Sequence, residues 1–226
     1  MAQDRSNNIL AREQDWNKYW RMDNVRRGGQ LSWSKKRIVF LLQSFLGRKQ
    51  KILDAGCGSG FFSKHFYDLG HRVCSLDYSQ EALKSTQQLT NNKTHLICKD
   101  MLADDFCATM DSDYDVIFSD GLLEHFGCSQ QQRILGHFSQ ILSEKGMIVT
   151  FVPNKWSPWQ LIRPFYMPGI KESPFVLSGL LRLHFKCNLL IIQSGGVNVL
   201  PFRFSPEKIF GQYFGMLLYA IARKKT

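Results

Sequence analysis

The sequence is poor in several features that would point to particular protein classes. It has no Cys-x-x-Cys pair; its six cysteines (Cys57, Cys74, Cys98, Cys107, Cys128 and Cys187) are scattered. That spacing excludes the common zinc frameworks and a disulfide scaffold, and leaves reduced thiols in a cytoplasmic protein as the expectation. No apolar run reaches the length of a bilayer span: the longest, Ile38–Leu42 and Met216–Ile221, are helix- or strand-sized. Residues 1–8 lack the basic start and apolar stretch of a secretory signal. Repeats, low-complexity tracts and linkers are missing too, so 226 residues read as one domain. Acidic residues are scarce at both flanks. Lys+Arg against Asp+Glu runs 11 to 4 in residues 1–50, 8 to 13 in 51–150 and 10 to 2 in 151–226. A basic surface either attracts acidic small molecules, nucleic acid or anionic membrane lipid, or serves only as a solvated face.

What is present is a rhythm. Short apolar runs at Lys51–Ala55, Arg72–Leu76, Thr94–Cys98, Tyr114–Ser119 and Gly146–Val152 read as strands. Amphipathic segments at about 60–69, 79–91 and 129–143 lie between them, with Ser79 and Ser129 as N-caps. This alternation predicts an α/β fold: a doubly wound, mostly parallel sheet with helices on both faces and a ligand beyond the strands' carboxyl ends. Ahead of it, a helix over 8–22 carries Trp16 and Trp20 near one face, and Ser34 caps a second helix that Gly47 stops. Residues 153–187 break the rhythm with five prolines and with Trp156, Trp159, Phe165 and Tyr166. That density suits an ordered lid better than a regular helix. Leu189–Gln193 and Met216–Ala222 read as closing strands, which brings the sheet to seven.

The most specific segment is Ile52-Leu53-Asp54-Ala55-Gly56-Cys57-Gly58-Ser59-Gly60, a strand ending in an acid and a Gly-x-Gly-x-Gly turn. Glycines let backbone turn sharply and approach a ligand that a Cβ would push away. A dinucleotide fingerprint would need a glycine where Phe61 stands, and no Gly-Lys-Ser/Thr phosphate loop follows. Three further segments follow in order: Asp77-Tyr78 after the second strand, Asp100-Met101 after the third, and Ser119-Asp120-Gly121-Leu122-Leu123-Glu124-His125 after the fourth.

In these motifs the chain resembles the class I S-adenosylmethionine-dependent methyltransferases, in particular their small-molecule branch, strongly over residues 50–153. The resemblance implies four parts: residues 1–49 as an N-terminal helical lid, 50–153 as the cofactor-binding core, 154–187 as a substrate lid inserted after the fifth strand, and 188–226 as closing strands. It implies S-adenosylmethionine as cofactor, bound by Asp54, Gly56, Cys57, Gly58, Gly60, Asp77, Tyr78, Asp100, Met101 and Ser119. Within that set, Asp77 resembles the acid that accepts from both ribose hydroxyls, a pairing a carboxylate can make. Asp100 and Met101 resemble the pair that flanks adenine.

His125 and Glu124 are the candidates for a general base, needed only if the acceptor is protonated at working pH; in the resembled families the same pair is often architectural. Some relatives bind a divalent metal through an acid three positions before the Glu. Gly121 stands there, so no metal is expected. Trp16, Tyr19, Trp20, Trp156, Trp159, Phe165 and Tyr166 are expected to wall the acceptor, under a basic mouth formed by Arg26, Arg27, Lys155, Arg163 and Lys171. The acceptor is then a small apolar or aromatic hydroxyl or amine. An RNA or protein acceptor is the alternative the basic flanks raise, and a non-catalytic scaffold on the cofactor fold is the alternative of another class. The sequence contains neither Asn/Asp-Pro-Pro-Tyr after the fourth strand nor a Pro-Cys nucleophile, which disfavours nucleobase chemistry.

Overall fold

The computed structural model describes residues 13–21, 31–166 and 172–225. Helix α1 (Glu13–Arg21) and helix α2 (Trp33–Leu42) precede the sheet. The core alternates β1 (Lys51–Ala55), α3 (Phe61–Asp68), β2 (Arg72–Asp77), α4 (Gln80–Leu89), β3 (His95–Cys98), the short α5 (Phe106–Thr109) and β4 (Tyr114–Asp120). A 3-10 turn at Leu123–His125, α6 (Cys128–Ile141) and β5 (Leu142–Pro153) follow. The chain closes with α7 (Trp159–Tyr166), α8 (Leu177–Lys186), β6 (Leu189–Val197), α9 (Glu207–Phe214) and β7 (Leu217–Lys224).

The seven strands lie in the order β3-β2-β1-β4-β5-β7-β6. Strands β1 to β5 are mutually parallel, and β7 enters antiparallel between β5 and β6. Order reverses between β1 and β4, which puts the crevice at the ends of those two strands. The sheet is buried on both faces, so its central strands are apolar runs without alternation: Ile52, Leu53, Val116, Ile117, Phe118, Ile148 and Val149 are all fully buried. One face packs Ile38, Leu42, Phe62 and Phe66 from α2 and α3. The other packs Phe106, Ile134, Leu135, Phe138 and Leu180 from α5, α6 and α8. All six cysteines are free thiols. Among the described residues no helix is long and apolar enough to cross a membrane.

Several boundaries differ from expectation. Ser32, not Ser34, caps α2, accepting from the Lys35 amide at 3.3 Å. Gly127 rather than Ser129 precedes α6, and the Gln130 side chain accepts from the Gly127 amide instead. Only Glu13–Arg21 of the expected 8–22 helix lies within the described residues. The proline-rich segment contains two helices, α7 and α8. Pro158 stands just before the first, where a missing N–H costs nothing, and Pro174 falls between them. The closing segment also contains α9 between its strands.

Candidate active site

The chain leaves β1 through Gly56, Gly58 and Gly60, all at positive φ (74°, 52° and 79°). Two of these glycines have separate reasons to lack a side chain. A Cβ on Gly58 would stand 2.6 Å from the Trp20 ring, so bare backbone is what lets α1 lie over the turn. A Cβ on Gly60 would stand 2.7 Å from the Thr86 Cα, so this glycine sets the packing of the turn on α4. Gly60 therefore serves the fold and does not line the cavity.

Two carboxylates are fixed beneath the turn. Asp54 is buried and accepts from Ser63 Oγ at 2.6 Å, while Ser75 Oγ donates to Ser63 at 2.7 Å. Burial pushes its pKa up to about 7. Asp77 accepts the Gly58 amide on Oδ2 (3.0 Å) and the Ser79 amide on Oδ1 (2.8 Å), and burial raises its pKa too. Ser79 in turn caps α4 and donates to Asn17 Oδ1 at 2.6 Å, so α1 is moored beside Asp77. Arg21 adds an ion pair to Glu81.

These groups open on one cavity of about 840 Å³. Its near end holds Asp54, Gly56, Cys57, Gly58, Asp77, Tyr78, Asp100 and Met101. Ser119 does not line it: adjacent strand residues face opposite sides, and Asp120 takes the cavity position instead. Burial lifts Asp120 to about 6, opposed by the Lys35 cation. At the far end stand Glu124, His125, Phe126, Trp159 and Glu172, under Trp16, Tyr19 and Trp20 of α1. Trp16 meets His125 edge-on at 4.7 Å, and Tyr19 meets Trp20 at 5.2 Å.

Glu124 and His125 are both buried, with Glu124 Oε1 3.9 Å from His125 Nε2. Burial pushes Glu124 up to about 8, and Oε2 of this carboxyl meets no hydrogen-bond partner among the described residues. The Ser173 amide donates to the Glu124 carbonyl at 2.8 Å, which brings Glu172 in from the insert. Glu124, His125 and Glu172 each offer one ligand-type atom within 4.8 Å of one another. A carboxylate from another part of the chain thus stands beside the pair, and the guanidinium of Arg163 lies against it.

The expected aromatic wall divides. Trp16, Tyr19, Trp20 and Trp159 line the cavity, whereas Trp156 and Phe165 are 63% and 82% exposed and point away from it. The reason is local: Asn154 Oδ1 accepts the Trp156 amide at the turn from which that side chain points outward, and Phe165, six positions after Trp159 on α7, falls about 120° round the helix from it. The side chain of Tyr166 lies outside the described residues, as do Arg26, Arg27 and Lys171. Lys35, Lys99 and Glu172 line the cavity without having been singled out in the sequence, and Asp120 does so although only its neighbour Ser119 was expected at the site. Strand alternation beside Ser119 could have found Asp120; no local signal marks Glu172.

A glycine turn at the switch point, acids closing β1 and β2, and this strand order define the class I methyltransferase architecture. Residues 52–146 match the methyltransferase domain family. A malonyl-[acyl-carrier protein] O-methyltransferase from Hamiltonella defensa is 31% identical over 118 residues, which is 51% of this chain and 43% of that protein. The chain spans less than half the length of such curated relatives. Among solved structures, the N-methyltransferase NodS from Bradyrhizobium japonicum, in complex with S-adenosyl-L-homocysteine, superposes with a TM-score of 0.67 at 15% identity, covering 95% of this chain and 98% of that one. Magnesium protoporphyrin IX methyltransferase from Synechocystis, with bound S-adenosylhomocysteine, gives 0.65 at 15% identity, covering 94% and 99%. Over residues 52–146 the chain is thus similar to the methyltransferase domain family, and its fold is that of the solved methyltransferases it superposes on.

Proposed function

We propose that this protein transfers a methyl group from S-adenosylmethionine to a small-molecule acceptor, a hydroxyl slightly ahead of an amine. The observation that carries the reading is the single cavity, which runs from Asp54 and Asp77 at one end to Glu124 and His125 under Trp16 at the other. The residues fit the cofactor. Its ammonium and sulfonium are cations, and the cavity offers Asp54, Asp77, Asp100 and Asp120, of which Asp54, Asp77 and Asp120 are held above their ordinary pKa by burial, so a cation placed beside them would favour their ionised forms.

The cofactor supplies an electrophilic methyl; positioning and exclusion of water fall to the chain. Trp16, Tyr19, Trp20 and Trp159 keep water from the reacting end and favour an apolar or aromatic acceptor. For a hydroxyl acceptor, His125 takes the proton. Glu124, pushed up to about 8, is largely protonated at pH 7 and begins to stabilise the imidazolium only as it ionises. Lys35 and Lys99 add positive charge near the cavity, which suits an acceptor bearing an acidic group. The test is incubation with labelled S-adenosylmethionine and metabolite extracts, read by mass spectrometry. Label appearing only in added RNA or protein would overturn the small-molecule reading. Calorimetry showing no binding of S-adenosylhomocysteine would overturn methyl transfer itself.

A further inference from the structure

Helix α9 is built inside out. Gly211 is its one buried residue, and packs so tightly on Gly196 that a Cβ there would stand 2.1 Å from the Gly196 carbonyl oxygen. The apolar side chains Ile209, Phe210, Tyr213 and Phe214 all face solvent. In an ordinary surface helix they would point to the core. The preceding loop continues this pattern with Phe202 and Phe204, the latter 82% exposed.

The loop is held in this arrangement. Arg37 from α2 donates to the carbonyls of Phe202 (2.7 Å) and Arg203 (3.3 Å) and pairs with Glu207, and the Leu200 amide donates to Ser205 Oγ. A loop fixed by its backbone with its rings turned outward presents those rings to something.

The outer side of α7 extends the patch. Leu161 and Phe165 are about four-fifths exposed, and Trp156 precedes them. Asn154 ties the two regions together: its side-chain amide donates to the carbonyls of Tyr213 (3.0 Å) and Gly215 (2.9 Å), at the end of α9. Both helices therefore rise at the end of β5 and the start of β7, where Pro153, Met216 and Leu217 line the cavity.

Charge selects the occupant. Residues 151–226 contain ten Lys and Arg and two acids. Both acids are consumed internally, Glu172 by Arg163 and Glu207 by Arg37. What the patch offers outward is positive: Lys208 on α9, Arg203 against the Phe204 ring (5.8 Å) and Lys155 against the Trp156 ring (5.7 Å). Rings flanked by cations, with aliphatic Leu161 and Ile209 among them, match the boundary between acyl chains and anionic headgroups. A second copy meeting this face by a two-fold axis would bring like charges together. Nucleic acid would leave the aliphatic groups without a role.

We propose that α9, the loop before it and the outer side of α7 form a surface that docks on anionic lipid. This rests on the exposed face alone, and its test needs neither cofactor nor turnover. The full chain is sedimented with phosphatidylcholine vesicles, with and without phosphatidylglycerol. It should partition onto the anionic vesicles only, and more weakly as salt rises. Phe204→Ser with Phe210→Ser should reduce partitioning by roughly tenfold or more. Lys208→Gln should reduce it roughly fivefold, the loss of one basic contact. Melting temperature and S-adenosylhomocysteine affinity should stay at wild-type values, since none of these residues touches the cavity. Three results would overturn the proposal: no sedimentation with anionic vesicles; sedimentation unchanged in the double-serine variant; or a dimer in solution that the double-serine variant abolishes.

Discussion

The indole of Trp16 and the imidazole of His125 meet edge to face, their centroids 4.7 Å apart at 84°. A residue from the first described helix thus fixes the orientation of a ring 109 positions later in the chain. His125 is held from outside the core, and its geometry depends on α1 staying in place.

That dependence separates a catalytic His125 from an architectural one. His125→Ala should lower turnover of a hydroxyl acceptor by roughly a hundredfold and leave cofactor affinity nearly unchanged. Its pH–rate profile should lose the acidic limb. A variant with a collapsed melting curve would assign the residue to the fold instead.

Asp77 both faces the cavity and accepts two backbone amides. Asp77→Asn keeps the shape but turns an acceptor into a donor facing either the Gly58 or the Ser79 amide. It should weaken S-adenosylhomocysteine by at least about tenfold, or ~1.4 kcal/mol. Asp77→Ala should do the same with a larger loss of melting temperature. Wild-type affinity for Asp77→Asn by calorimetry would remove this residue from the cofactor site.

Gly60 and Gly58 should fail in different ways. Gly60→Ala meets backbone at 2.7 Å with φ +79°, so it should cost more than about 1 kcal/mol of stability. Gly58→Ala, at φ +52°, meets the Trp20 ring at 2.6 Å, so it should displace α1, and adding Trp20→Ala should recover the part of the loss that the ring causes. Chemical denaturation of the single variants and of the pair decides it.

Acidity gives a further expectation. Asp54, Asp120 and Glu124 are raised to about 7, 6 and 8 from ordinary values of 3.8, 3.8 and 4.5. The folded chain holds these protons more tightly than the unfolded chain does. The associated stability is complete below the ordinary values and is lost as pH rises through about 6 to 8. A cationic ligand reverses the balance, because it favours the ionised carboxylates. The free protein should therefore melt lower at about pH 8.5 than at about pH 5.5, while the shift produced by S-adenosylmethionine grows. Binding should release protons, seen as a dependence of calorimetric heat on buffer, and more for S-adenosylmethionine than for S-adenosylhomocysteine, which has no sulfonium. Proton uptake on binding would contradict the account.

The core was legible because its signals are local. Lys51–Ala55 appears with its expected bounds, Asp77 ends β2, and Asp100 follows β3 by two residues, where the short apolar run has stopped. Buried parallel strands must be apolar on both sides, and that leaves a continuous pattern in the chain. The insert was less legible because proline density disfavours helix without excluding it: α7 runs through Pro164. Trp156, Trp159 and Phe165 are chemically alike in the sequence. The turn at Asn154 sends Trp156 outward and the helical positions on α7 separate Trp159 from Phe165, and that turn depends on the end of α9, some 60 residues away. Glu172 was unreadable for the same reason: it reaches Glu124 through a single backbone bond from Ser173.

Asn154 has a consequence of its own. This fully buried residue directly follows β5; its side chain binds the end of α9 and sets the first turn of the insert, while its backbone carbonyl accepts from Gln160. Cavity wall and outer face are therefore hinged on the same pin. Diversification toward new acceptors can proceed through Trp159 and its neighbours on one side, or through the exposed rings on the other. A change at the pin alters both at once, so a lineage that shifts its chemistry while keeping its docking face should leave position 154 untouched.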